Sequence, residues 1–155
     1  MKANLRKTLL VLVVAGGAIM GYFLWLTTRP VEIIAVHEDG NYCSVLVKNF
    51  PITDKGKIDW WLRNKDILKS RYDIPKPATY GGYDVTFWKF GDGYKEDKYD
   101  RLCFDDMKTK MNCIDKEPIF TIKRFNYERE IFITYEGRYK LKDNGKIIKL
   151  KGGGP

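Results

Sequence analysis

Twenty-one consecutive residues without a charged side chain, "TLLVLVVAGGAIMGYFLWLTT" at 8–28, constrain this chain more than anything else in it. As a helix the run spans about 31 Å, the thickness of a bilayer's hydrocarbon core. Tyr22 and Trp25 cluster toward its end, where amphipathic rings prefer the headgroup level. Lys2, Arg6 and Lys7 precede the run and Arg29 closes it. The positive-inside preference then keeps residues 1–7 cytoplasmic, makes 8–28 a transmembrane helix and sends the rest of the chain across the membrane. A cleaved secretory signal is the competing reading, since "AGGA" at 15–18 offers small residues to a peptidase. Such a cut would leave an apolar new terminus, "IMGYFLWLTT", so the anchor is the better reading. Gly17 and Gly21 form a G-x-x-x-G pair, the minority basis for a weak homodimer.

The remaining length suits one modest domain, 30–150, followed by a glycine-rich flexible tail, 151–155. Setting aside Lys2, Arg6, Lys7 and Arg29, 24 basic residues face 20 acidic ones, a net of +4. This excess is mild and interspersed, so it reads as a solvated mixed surface. No nucleic-acid motif is present, and a domain facing away from the cytoplasm has no use for one. Only Arg29 and Pro30 separate the apolar run from the first strand, which therefore starts within about 10 Å of the interface.

"VEIIAVH" (31–37) and "YCSVLVK" (42–48), joined by "EDGN", read as a β-hairpin. Thr53 or Asp54 can cap a helix over 55–71 that ends before Pro75. Its stripe of Ile58, Trp61, Leu62 and Leu68 is expected to pack on a sheet. After the break "PKPATYGGY", further strands are expected at 83–90, 100–104 and 117–125, with three more between 130 and 150 joined at Glu136-Gly137 and at "DNG" (143–145). Strands succeeding one another in hairpins, with one main amphipathic helix, give an α+β fold around an antiparallel sheet.

Cys103 and Cys113 flank a polar loop and are expected to form a disulfide, worth about 2.8 kcal/mol by loop entropy for a ring of that length. Cys43, mid-strand, reads as a buried thiol. No C-x-x-C or H-x-x-x-H spacing gathers metal ligands, and no cofactor motif is present. The single histidine, His37, sits at a strand end and reads as a surface residue rather than as a base for Cys43 or Ser44. Glu96, Asp97, Asp100, Asp105 and Asp106 form an acidic cluster, but interleaved Lys and Arg make ordinary solvated pairs the expectation. No catalytic set emerges, and the chain reads as a non-enzyme.

The stretches "GYFLWLTTRPVEIIAVHEDGNY", "VLVKNFPITDKGKIDWWLRNKDILKSRYDIPKP", "FWKFGDGYKEDKYDRLCFDDMKTKMNCI" and "YEGRYKLKDNGKIIKLK" resemble an enterobacterial family of single-pass membrane proteins of unknown function. The resemblance covers nearly the whole chain. It implies a membrane anchor and supplies no catalytic residue. Three function classes are then open. The first is an inner-membrane immunity protein whose periplasmic domain blocks an antibacterial toxin, with Trp60, Trp61, Trp88, Tyr94 and Tyr99 as candidate contacts, since aromatic residues dominate interface energetics. The second is an envelope accessory or scaffold protein. The third is an envelope enzyme acting on lipid or peptidoglycan, for which the acidic cluster is the only handle.

Overall fold

A backbone in hydrocarbon satisfies its polar groups only by bonding to itself, and the apolar run does so as α1 (Lys2–Thr28). The computed structural model describes residues 1–152, so the last three residues of the expected tail lie outside it. The chain divides into two units, Met1–Pro30 and the part from Val31 onward. In the first, α1 contains the whole expected span but starts at Lys2, because lysine and arginine are good helix formers and extend it into the basic segment. No residue of α1 is buried by protein. Arg29 closes the unit with its guanidinium carbon 4.4 Å from the centre of the Trp25 ring.

The second unit contains β1 (Glu32–Asp39), β2 (Tyr42–Lys48), α2 (Asp54–Tyr72), β3 (Tyr83–Lys89), β4 (Arg101–Cys103), β5 (Cys113–Asp115), β6 (Pro118–Arg124), β7 (Ile131–Ile133), β8 (Arg138–Leu141) and β9 (Ile147–Lys149). One sheet has the order β1-β2-β3-β6-β7-β8-β9, and β4 and β5 form a separate ladder. The α+β reading holds, with a mostly antiparallel sheet. The expected hairpins form at Gly40 and Gly145, whose φ angles of 60° and 80° suit glycine in tight turns. One pairing departs from a simple succession of hairpins: β2 and β3 run parallel. Parallel neighbours need a long crossover, and α2 is that crossover.

Thr53 caps α2 by accepting from the Gly56 N–H at 3.0 Å, and Asp73 ends it in the left-handed region at φ 54°. The helix lies on the sheet, as its stripe predicts. Ile58, Trp61 and Leu68 pack with Val45, Val47, Val85, Phe87, Phe120, Ile122 and Phe132 in the main core. The opposite face of β1–β2–β3 is covered by the β4–β5 hairpin, where Leu46, Phe104 and Ile114 form a second cluster. Covering both faces explains why Val45, Leu46 and Val47 are buried in succession.

Strand pairing also fixes the ends. β1 begins at the end of the sheet where β2 and β3 finish and β6 starts, and it finishes where β2 and β3 begin. Asp54, at the start of α2, belongs to the first end: its carboxylate accepts from Thr134, past the end of β7, at 2.8 Å.

Candidate functional site

Alternation along β1 would put His37 on the same face as Ile33, which packs into the main core beneath α2. A register shift between Ile33 and Ala35 prevents this. The extra residue reverses the alternation, so that Val36 joins the main core while His37 faces the disulfide hairpin, opposite Ser44 of β2.

On that face His37 is buried, at 9% exposure, by its partners. Phe104, the residue after β4, stacks on the imidazole with ring centres 3.8 Å apart. The Asp106 carboxylate lies 2.8 Å from Nδ1, and the Tyr94 hydroxyl lies 2.8 Å from Nε2. A carboxylate only accepts, so Nδ1 carries a hydrogen. Nε2 then accepts from Tyr94 in the neutral ring or donates to it in the imidazolium. Burial, followed by the charge of Asp106, pushes the Tyr94 phenol above its ordinary pKa.

The hairpin that delivers Phe104 and Asp106 is closed by the Cys103–Cys113 disulfide, formed between residues directly opposite in the β4–β5 ladder. Asp97 approaches both of these sulfurs. Sulfurs already bonded to each other are not thiolate ligands, so this trio is not a metal set. Cys43 is a buried free thiol, as expected, and burial pushes its pKa up.

Beside His37 opens a cavity of about 390 Å³ whose walls include Glu38, Asp39, Tyr42, Ser44, Asp105 and Asp106. Four carboxylates line it, and no lysine or arginine does. Glu38 is paired outside by Lys76 at 2.5 Å. The Ser44 hydroxyl accepts from the Trp88 indole at 3.2 Å. The imidazole, the Asp106 carboxylate, the Glu38 carboxylate and the Ser44 hydroxyl are thus each engaged by a neighbour, whereas Asp39 and Asp105 are exposed and have no partner among the described residues. What remains free is negative charge beside an exposed ring, since Tyr42 is 59% exposed.

The five aromatic residues expected at an interface are not brought together. Trp61 is fully buried, its indole donating to Glu130 at 3.1 Å, so it is corrected from candidate contact to core anchor. Its place in the helical stripe already favoured that outcome. Trp60 is half-buried against Phe50 and Phe87. Trp88 and Tyr94 belong to the cluster under the hairpin. Tyr99 alone is wholly exposed. His37, read as a surface residue, is instead the centre of the network. The expectation failed because strand parity hides a bulge and because Asp106 lies 69 positions away in sequence.

No curated protein and no solved structure matches this chain. A family described as "Enterobacterial putative membrane protein (DUF943)" matches residues 2–151. That span takes in the apolar helix, the sheet and the disulfide hairpin together, and the chain belongs to this enterobacterial membrane-protein family.

Proposed function

We propose that this is a non-enzymatic binding protein, held by α1 in the inner membrane with its domain in the periplasm, and that it acts as an immunity protein against an antibacterial toxin. The observation that carries this reading is the cavity beside His37. It offers four carboxylates, of which Asp39 and Asp105 have no partner among the described residues, and an exposed tyrosine. Such a surface suits a basic segment of a protein partner, because complementary potential steers encounter and fixes register. The cavity opens at the end of the sheet opposite the start of β1. Tethering adds to this by concentrating the blocker where an envelope toxin must arrive.

The test is protection. Among cells each expressing one antibacterial toxin routed to the periplasm, those making the matching toxin should survive when this protein is present. They should die when Asp105 and Asp106 are replaced by Lys in a protein still found folded in the membrane fraction. Killing unaffected by the wild-type protein would sink the immunity reading. The scaffold reading draws on Gly17 and Gly21, beside which a side chain would meet nothing. It predicts loss of function when α1 is exchanged for an unrelated span.

A further inference from the structure

At the end of the sheet where β1 begins lies a second cavity, of about 480 Å³, with the opposite chemistry. Its walls combine Val47, Phe50, Ile52 and Ile119 with three lysines, Lys48, Lys57 and Lys89, and no carboxylate. Lys57 is the informative one. Its side chain is only 12% exposed, and its ammonium finds no hydrogen-bond acceptor among the described residues. The carboxylate nearest to it, Asp54 Oδ1, is 3.9 Å away. The other Asp54 oxygen is already taken, by Thr134 at 2.8 Å and Tyr139 at 2.6 Å. Lys48 has no carboxylate in salt-bridge range among the described residues and sits over Phe90, 5.5 Å from the ring centre. Lys89 reaches Glu117 only loosely, at 3.4 Å. A lysine whose stem is largely buried and whose ammonium reaches solvent without a hydrogen-bond acceptor, flanked by two more cations above an apolar wall, is a site for an anion attached to something apolar.

The chain's connectivity narrows the choice of anion. Arg29 and Pro30 alone separate α1 from Val31, so β1 follows the span after a connection that reaches about 14 Å at most when fully extended. β2 and β3 lie one and two strand spacings from β1, about 5 and 10 Å. Beside the lysines, Ile52 is 74% exposed, an aliphatic side chain with no protein to cover it. We propose that this cavity is a phospholipid-headgroup site. It takes the phosphodiester of an anionic lipid from the bilayer that holds α1, with Lys57 completing its hydrogen bonds on the phosphate and Ile52 resting in the interfacial layer. The site thereby fixes the domain against the membrane. The inference is independent of the partner and of which side of the membrane the domain occupies.

The test uses the full chain in nanodiscs of phosphatidylcholine with increasing phosphatidylglycerol, monitored through the amide resonances of Asn49, Ile52, Lys89 and Gly91. Saturable shifts confined to this end of the domain are expected. Lys57→Met, which keeps the buried stem, and the surface variant Lys48→Gln/Lys89→Gln should each weaken them, by roughly fivefold per lysine neutralised. Inorganic phosphate added to pure phosphatidylcholine discs should not reproduce them. The proposal is overturned if no shifts occur, if they spread over the whole domain, if inorganic phosphate acts equally well, or if neither variant changes the titration.

Discussion

His37 is held by both ring nitrogens, and its Nδ1 hydrogen has a single acceptor, Asp106. Asp106→Ala should therefore leave a buried donor unmet and lower stability by about 1–3 kcal/mol. The expected signature is an earlier urea midpoint with an unchanged slope, and Asp106→Asn, which keeps an acceptor, should recover part of the loss. Identical midpoints for Asp106→Ala and the wild type would mean that the ring does not depend on this carboxylate. A second residue-scale expectation concerns pH. The hydrogen bond to Asp54, then burial, pushes Tyr139 from 10.0 up to about 12. The folded state thus holds the phenolic proton more tightly than the unfolded one, a stabilisation fully present below pH 10 and lost as pH rises toward about 12. Alkaline unfolding measured over that window should be less steep in Tyr139→Phe. At this scale the sequence was a partial guide. Cys43 and the Cys103–Cys113 bond were legible from local context, whereas the fates of His37 and Trp61 depended on which face of an element each occupies.

Among the elements, the β4–β5 hairpin stands apart from the seven-stranded sheet. Its ladder is three residues long and it brings Phe104, Asp106 and Ile114 onto the sheet. Cys103→Ser/Cys113→Ser should lower stability by about 2.8 kcal/mol. It should also raise amide exchange in 101–115 more than in α2. Uniform acceleration across the domain would show instead that the hairpin and the main core open as one unit. The helix was the most legible element: the cap at Thr53 and the expected 55–71 agree with Asp54–Tyr72 to a residue at each end. Less legible was its role as a crossover. Pairing direction is a relation between β2 and β3, and the apolar alternation in each strand is the same whichever way its neighbour runs.

Over the whole molecule, charge is polarised along the sheet. Three lysines and no acid line the cavity at the end where the chain arrives from α1, and four acids and no lysine or arginine line the cavity at the other end. In the proposed function the basic end would take the lipid headgroup and the acidic end the basic segment of the partner. Exchanging 8–28 for an unrelated membrane span should accordingly leave protection intact, scored as survival under toxin expression. Loss of protection by a correctly inserted hybrid would shift the reading to a scaffold that pairs within the bilayer. The sequence alone determined the anchor, the two-residue tether, the helix with its cap and stripe, the glycine turns and the cystine, because each rests on residues near one another in the chain. The tertiary structure decided the parallel pairing of β2 and β3, the bulge that turns His37 toward the hairpin, and the gathering of like charges around two cavities. Those features join positions far apart in sequence, and only packing sets which face and which end each position reaches.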